Sequence, residues 1–286
     1  MRSLLNFSER ALRFAGNTLL RASQRITPLP KLTADERKLL ARNERFRDIH
    51  RGRRAFVIGT GPSLQTQNLA PLGDEITFTL SAFWKHPIVK QWEPTYYCFS
   101  DPLLFDGSQP MREFFARVVS HVPHATFFLP LEAREVVTRQ NLLPGDQIYY
   151  FAPHGDLAAM DVPELDLTTF IPGVMNVAQV CIMLAIYMGA SPIFLLGLDH
   201  DWLSHQNEVK HFYSGHAGLE EHPELRPVLS DWSYKFLMEC QLTGWNAYES
   251  LLRLSERQGI RIVNATAGGF LDVFARANYE ELIQTR

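Results

Sequence analysis

Short apolar segments of three to five residues alternate with helix-forming stretches through most of the chain after residue 54. The apolar or β-prone segments are Ala55–Ile58, Ile76–Leu80, Tyr96–Phe99, Thr126–Leu129, Gln147–Phe151, Ile193–Leu196 and Arg261–Val263. The helical stretches between several of them are Pro62–Ala70, Met111–Val122, Leu131–Gln140, Asn176–Met188 and Trp245–Gln258. This alternation favours parallel strands joined by crossover helices. It predicts an α/β fold, a doubly wound, Rossmann-like and mostly parallel sheet, whose ligands bind at the carboxyl ends of the strands.

The chain is expected to have four parts. Residues 1–50 form an N-terminal helical arm, 51–199 the nucleotide-binding core, 200–228 a lid insertion, and 229–286 the closing helices and strand of the core. Residues 1–31 carry six basic residues against one acid, and leucine or isoleucine recurs every seven residues from 5 to 26. Two interpretations fit this pattern: a helix packed on the domain or in a dimer, and a basic amphipathic helix on an anionic membrane. A capping box of Thr33 and Glu36 predicts a second helix that runs to about His50.

Composition excludes several classes of protein. A formal charge of −3 gives no basic field for nucleic acid. The three cysteines, Cys98, Cys181 and Cys240, form no CxxC pair, which excludes zinc ribbons and redox pairs and fits a reducing compartment. No apolar run reaches the roughly eighteen residues of a membrane span, and the first residues lack the apolar core of a secretion signal. We therefore expect a cytoplasmic protein.

The segment "AFVIGTGPSL" places Gly59, Thr60, Gly61 and Ser63 where the first strand ends. Glycine permits a tight turn and close approach of a ligand, and proline suits the first position of a helix. A serine at the positive end of that helix favours phosphate. The third glycine of the dinucleotide fingerprint and the Walker lysine are absent. A phosphate or nucleotide site and a tight turn without a ligand therefore both remain open.

Two further positions stand at predicted element ends. Asp199 leaves the strand Ile193–Leu196 and is suited to ribose or a metal, or to capping a neighbouring helix. Asn176 is a good N-cap for the long apolar helix and, secondarily, a ligand contact. The lid holds four of the ten histidines, at positions 200, 205, 211 and 216, but these spacings match no usual zinc pattern. We expect no metal site.

An ordered set of segments resembles the small bacterial sialyltransferases of glycosyltransferase family 42 and the wider 6-hydroxymethylpterin diphosphokinase-like family, many of whose members accompany surface-polysaccharide genes. The segments are "VIGTGPSL", "TFTLSAFW", "SDPLLF", "MLAIYMGASPIFLLGLDHDW", "HFYSGH" and "RIVNATAGGFLDVF", which together span about residues 45–280. The resemblance implies a donor nucleotide, CMP-linked in the sialyltransferases, over the first glycine turn. Its implied contacts are Gly59, Thr60, Gly61, Ser63, Ser81, Asp101, Asn176 and Asp199.

Three of these positions depart from the sialyltransferase pattern. Thr60, Ser81 and Asp101 stand where those enzymes have asparagines. Ionised Asp101 only accepts hydrogen bonds, so it suits a ribose hydroxyl or a base amino group and would repel a phosphate. For Ser81 and Asp101, the residues alone favour a polar strand end and a turn before Pro102. The identity of the nucleotide stays open.

The resemblance of "HFYSGH" implies that His216 is the general base, because the family's Tyr-x-Gly-His histidine deprotonates the acceptor hydroxyl. Histidine's ordinary pKa near 6.5 suits that role. The reaction is then inverting and needs no divalent ion or other cofactor. The family's two phosphate-binding lid tyrosines have no match here. Lys210, His211 or Tyr213 would neutralise the leaving phosphate instead. Alternatively, the donor is another nonulosonate or Kdo.

The implied partners are a nucleotide-sugar donor and a glycan acceptor, lipid-linked in one version, with anionic membrane and a second copy of the chain as further candidates. Two other functions stay open. A pterin diphosphokinase-like enzyme would transfer a phosphoryl group with Mg²⁺ held by Asp101, Asp199 and Asp201. A non-catalytic subunit of a polysaccharide assembly would bind nucleotide without turnover.

Overall fold

The computed structural model describes residues 29–201, 203–204, 211–212 and 233–284. Nine strands form one sheet in which every neighbouring pair is parallel: β1 (Ala55–Ile58), β2 (Ile76–Leu80), β3 (Tyr96–Cys98), β4 (Thr126–Pro130), β5 (Ile148–His154), β6 (Phe170–Pro172), β7 (Ile193–Leu196), β8 (Ile262–Asn264) and β9 (Ala275–Arg276). The strand order is β6-β5-β4-β3-β2-β1-β7-β8-β9. The chain thus builds outward from β1 on one side and resumes beside β1 with β7. This arrangement confirms the predicted Rossmann-like α/β fold.

The α-helices of the described residues are α1 (Ala34–Ala41), α2 (Gln109–His121), α3 (Arg134–Gln140), α4 (Val177–Tyr187), α5 (Tyr234–Arg257) and α6 (Tyr279–Gln284). Successive residues of the central strands enter opposite layers, as the pleat of a strand requires. Ala55 and Val57 pack in the layer that contains α4 and α5, whereas Phe56 and Ile58 pack in the layer that contains α2 and α3. All four are fully buried. Burial on both faces explains why β1 is continuously apolar.

The N-terminal described residues confirm one local prediction and revise another. Thr33 and Glu36 form the expected capping box, in which the Thr33 backbone N–H donates to the Glu36 carboxylate over 2.7 Å. The helix ends at Ala41, and a short 3-10 turn follows it from Arg42 to Phe46. The chain is held here because the buried Asn43 amide donates to the Tyr150 carbonyl over 2.7 Å. Almost all of the predicted stripe in residues 1–31 lies outside the described residues.

Several element boundaries differ from the sequence prediction. The short strands β6 and β9 carry no apolar run long enough to mark them, and α5 begins eleven residues before the predicted start at Trp245. The helix expected over Pro62–Ala70 is wrong: a 3-10 turn spans Pro62–Gln65 and a second one spans Ala70–Leu72. The Asn68 side chain accepts from the Ala70 N–H just before the second turn, and local bonds of this kind compete with a continuous helix. None of the described helices is long and apolar enough to cross a membrane.

Candidate active site

The carboxyl ends of β1 and β7 form the topological switch point of the sheet, because the chain leaves β1 in one direction and returns on its other side. In open α/β sheets this is the place where ligands bind. Gly59 follows β1, Ser81 follows β2, Asp101 lies three residues beyond β3, and Gly197 follows β7. The four predicted segments therefore lie side by side along one edge, in the order of their strands. We call the space along this edge the carboxyl-edge crevice.

The turn after β1 packs directly on the turn after β7. The Gly59 N–H donates to the Leu196 carbonyl, and the Gly61 N–H donates to the Gly197 carbonyl, each over 2.8 Å. A Cβ atom on Gly59 would overlap the Gly197 carbonyl oxygen, and one on Gly61 would overlap the Asp199 carboxylate. Glycine is therefore required at positions 59 and 61 because the protein's own Gly197 backbone and Asp199 carboxylate lie against them.

Asp199 accepts two hydrogen bonds from Ser63. The Ser63 N–H lies 3.1 Å from Oδ1 of Asp199, and the Ser63 hydroxyl lies 2.9 Å from Oδ2. Both residues are buried. Burial raises the pKa of Asp199 above its ordinary value, and the two bonds from Ser63 partly offset this rise. The Ser63 N–H and hydroxyl, which were predicted to bind a phosphate, thus donate to the Asp199 carboxylate. A phosphate could accept from them only if Asp199 released them.

Two described residues of the lid, 211 and 212, lie on the glycine turn. Nδ1 of His211 lies 3.0 Å from the Thr60 hydroxyl oxygen, and the Phe212 N–H donates to the Thr60 carbonyl over 2.9 Å. The Phe212 carbonyl accepts from the Gln65 amide over 3.0 Å, and the Phe212 ring packs edge-on against His86. The fold therefore joins the predicted nucleotide turn to one of the three predicted phosphate-neutralising residues.

Ser81 has a strained backbone. Its φ of 49° lies in the left-handed region, which a non-glycine residue seldom adopts. Its carbonyl accepts from the buried Tyr97 hydroxyl over 2.8 Å, and that hydroxyl accepts from the Trp84 N–H over 2.9 Å. Such over-determined strain is concentrated at functional sites. Asp101 is exposed, and its carboxylate caps the following 3-10 turn by accepting from the Leu103 N–H over 2.9 Å.

Asn176 is the N-cap of α4, as predicted: its Oδ1 accepts from the Gln179 N–H over 3.2 Å. The same Oδ1 accepts from the Tyr248 hydroxyl over 3.2 Å, and Nε2 of His200 lies 2.8 Å from that hydroxyl. Burial lowers the pKa of His200 to about 4. Sequence reasoning treated His200 only as a lid histidine and did not single out Tyr248. No local pattern links two residues that lie 48 positions apart.

Other predicted residues cannot be located in this site. His216, Lys210 and Tyr213 lie outside the described residues. Within the described ranges, no group of three His, Cys, Asp or Glu side chains is arranged to hold a metal ion.

A cavity of about 500 Å³ lies at the opposite, amino edge of the sheet, between Arg47, Tyr187 and Gln258. It shares no residue with the carboxyl-edge crevice, and its Arg47 is paired with Asp166 over 3.1 Å.

Neither the protein-family models nor the curated protein sequences give a significant match to this chain. Several solved structures are similar in fold, among them the following three. The Maf glycosyltransferase of Magnetospirillum magneticum matches with 12% identity and a TM-score of 0.48 over 96% of this chain, which spans 42% of that protein. The sialyltransferase CstII of Campylobacter jejuni, in complex with the substrate analogue CMP-3FNeuAc, and a tyrosine-to-phenylalanine variant of Cst-II, in complex with CMP, each match with 14% identity and a TM-score of 0.48 over 78% of this chain. They are covered over 86% and 85% of their lengths.

Proposed function

We propose that this chain is an inverting, metal-independent glycosyltransferase of bacterial surface-glycan synthesis. Its donor would be a nucleotide-activated sugar, CMP-sialic acid or a related CMP-linked nonulosonate or Kdo. The observation that carries the proposal is the contact of His211 with Thr60, 151 residues apart at the switch point of the sheet. The resemblance assigns Thr60 to the nucleotide, and His211 is one of the three residues expected to replace the family's phosphate-binding tyrosines.

The donor would lie along the carboxyl-edge crevice. Thr60 and Ser81 offer hydroxyl groups at the ends of β1 and β2, and Asp101 offers an exposed carboxylate beyond β3. A carboxylate here suits the ribose hydroxyls, which donate hydrogen bonds. Asn176 lies at the positive end of α4 and suits an anionic part of the donor. The supporting fact is that these four side chains come from four different crossovers and share one edge.

Glycosyl transfer would require a base for the acceptor hydroxyl and either a cation or hydrogen-bond donors for the leaving phosphate. His216 would remove the proton of the acceptor hydroxyl as that oxygen attacks the anomeric carbon, and the nucleotide would leave with the bonding electron pair. Lys210, His211 and Tyr213 would neutralise the phosphate as it leaves. The product would have inverted anomeric configuration, and no covalent intermediate on the protein would form. Asp199 would act on this reaction indirectly, by holding the glycine turn through Ser63.

The Mg²⁺-dependent phosphoryl transferase is the second candidate, and the geometry of Asp199 bears on it. Each oxygen of Asp199 already accepts a hydrogen bond from Ser63, so one lone pair on each oxygen is engaged and the carboxylate is held against the glycine turn. Asp101 lies beyond β3, and two strands, β2 and β1, separate β3 from β7. We therefore favour the transferase that works without a divalent ion.

The acceptor would be a glycan, and a lipid-linked glycan would make binding of residues 1–31 to the inner face of the membrane useful.

The deciding experiment is calorimetric titration with CMP, UMP, ADP and GDP in EDTA and in Mg²⁺, followed by release of CMP from CMP-sialic acid and CMP-Kdo with candidate acceptors. We expect CMP to bind in EDTA and CMP release to depend on an acceptor. Activity that EDTA abolishes and Mg²⁺ restores would favour the phosphoryl transferase. CMP binding without turnover of any donor would favour the scaffold.

Thr60→Val is the matched probe of the contact that carries the proposal, because it removes one hydroxyl and keeps the shape of the side chain. We expect weaker CMP binding. Thr243→Val is the control, because the Thr243 hydroxyl donates only to the Glu239 carbonyl on the exposed face of α5. Equal CMP affinity of wild type and Thr60→Val would remove the nucleotide from the glycine turn.

A further inference from the structure

A chain of three side chains crosses from the end of β7 to the start of α4. Its centre is the hydroxyl of Tyr248, a fully buried residue of α5. This hydroxyl lies 2.8 Å from Nε2 of His200 and 3.2 Å from Oδ1 of Asn176. Three elements that are distant in sequence thus meet through one oxygen atom at the carboxyl edge of the sheet.

The donors and acceptors of this chain have one consistent assignment. Oδ1 of Asn176 accepts from the Gln179 N–H, which can only donate, and the Tyr248 hydroxyl gives its single hydrogen to the same oxygen. The Tyr248 oxygen then accepts the Nε2 hydrogen of His200. Burial lowers the pKa of His200 to about 4, which keeps the imidazole neutral at pH 7. Burial also raises the pKa of Tyr248, which keeps its hydroxyl protonated.

His200 is fixed in place from several sides. Its φ of 51° lies in the left-handed region, where a β-carbon is strained. Its carbonyl accepts from the Gln241 amide over 3.1 Å, and its ring packs edge-on against Trp245. The preceding residue, Asp199, holds the turn after β1 through Ser63. Two consecutive residues at the end of β7 thus hold both the glycine turn and the start of α4.

The consequence falls on the Asn176 amide. Because its Oδ1 already accepts two hydrogen bonds, the orientation of the amide group is fixed. None of the residues that the structure describes accepts a hydrogen bond from its Nδ2. Asn176 is partly exposed, so this donor is accessible. It is therefore a positioned donor for an oxygen of a bound molecule.

We infer that His200 is a positioning residue for the nucleotide sugar: through Tyr248 it orients the Asn176 amide so that Nδ2 donates to a phosphate or carboxylate oxygen of the donor. This inference rests on the proposed function, because it assumes a nucleotide sugar in the crevice. It adds two residues, His200 and Tyr248, that act through Asn176 and to which the resemblance assigns no role.

The test uses Tyr248→Phe and His200→Ala in the full-length protein, with His200→Gln as the conservative variant whose amide can still donate to Tyr248. We expect Tyr248→Phe and His200→Ala to weaken binding of CMP-sialic acid, which carries both the phosphate and the carboxylate, by about tenfold, the equivalent of about 1.4 kcal/mol, and His200→Gln by less than about threefold. Tyr187→Phe is the control, because it removes a buried hydroxyl that donates to the Asn43 carbonyl over 3.3 Å at the other end of α4. It should lower the free energy of unfolding without changing the affinity for CMP-sialic acid.

Asn176→Asp supplies a variant that keeps the cap of α4 and removes the Nδ2 donor. We expect it to weaken binding of CMP-sialic acid, and we expect Tyr248→Phe to add nothing further in the double variant. Titration with cytidine, CMP and CMP-sialic acid identifies the oxygen: a loss that appears first with CMP indicates phosphate, and one that appears first with CMP-sialic acid indicates carboxylate.

Wild-type affinity of folded Tyr248→Phe for all three probes would overturn the inference and leave the proposed function intact. An equal loss of affinity for CMP-sialic acid in Tyr187→Phe would also overturn it, because the effect would then be general destabilisation. If the wild-type protein binds none of the probes, the proposed function fails and the inference fails with it.

Discussion

The carboxylate of Asp199 accepts hydrogen bonds from the backbone N–H and the hydroxyl of Ser63, 136 residues earlier in the chain. This pair closes the turn after β1 against the turn after β7. It joins the two segments at the switch point of the sheet, and it determines which of their polar groups remain available to a ligand.

The pH dependence of stability should reveal the ionisation of Asp199. Burial raises the pKa of Asp199, so its favourable contribution to the free energy of unfolding is greatest below the unfolded value, about pH 4. The contribution falls as pH rises through the raised folded value. Urea unfolding of Asp199→Asn and wild type at pH 4, 5.5 and 7 should therefore show the variant gaining relative stability as pH rises. The exposed Asp146→Asn is the control. A gain in the stability of wild type relative to Asp199→Asn between pH 4 and 7 would contradict a raised pKa of Asp199.

Ser63→Ala should destabilise the protein. The substitution removes the hydroxyl that donates to the buried Oδ2 of Asp199. Loss of one donor to a buried acceptor costs about 1–3 kcal/mol. Chemical denaturation of Ser63→Ala, Asp199→Asn and the double variant measures the coupling between the two residues. Additive effects in the double variant would show that the hydrogen bond from the Ser63 hydroxyl to Asp199 contributes nothing specific to stability.

Gly61→Ala should also destabilise the protein, because its Cβ atom would overlap the Asp199 carboxylate. Over-packing of this kind costs about 1–3 kcal/mol. Gly145→Ala is the matched control, because nothing lies within 4 Å of a Cβ atom built there, and we expect a change within about 0.5 kcal/mol. Thermal unfolding measures both. A neutral Gly61→Ala would show that Asp199 moves aside without cost.

His216→Ala should lower kcat by about 10²- to 10⁴-fold, because positioned general-base catalysis contributes about that factor. Donor affinity should change little, and the acid limb of the pH–rate profile should disappear. His211→Ala is the matched variant, and it should instead weaken donor binding because His211 contacts Thr60 over 3.0 Å. If the two variants exchange their effects, the register across "HFYSGH" is shifted. If neither changes turnover, the base is a carboxylate such as Asp201.

Deletion of residues 1–31 should reduce sedimentation with liposomes that contain anionic lipid and should spare transfer to a water-soluble acceptor. The six basic residues of this segment give the electrostatic attraction, and its apolar repeat gives the insertion. Neutral liposomes are the control. Equal sedimentation of the truncated protein would assign the segment to packing or to a dimer.

Strand existence and fold class were predictable because both faces of this sheet are covered. A strand that is buried on both faces is mostly apolar, and Ala55–Ile58, Ile76–Leu80 and Ile193–Leu196 were predicted with their observed bounds. The capping box of Thr33 and the N-cap Asn176 were equally readable, because a cap involves residues only three positions apart. The short strands β6 and β9 were missed because they have only three and two residues and are recognised by their pairing with the neighbouring strands β5 and β8.

The sequence by itself determined the Rossmann-like layering and the edge where the candidate residues gather, because these follow from local apolar periodicity and from the parallel direction of the strands. Only the tertiary structure decided that Ser63 faces Asp199 and that Tyr248 joins His200 to Asn176. These contacts span 136, 48 and 72 positions. A hydrogen bond depends on the direction and distance of two groups in space, and no pattern of neighbouring residues encodes that distance. The glycines show the same division: their position marked the turn, and the packing of Asp199 against Gly61 supplied the reason.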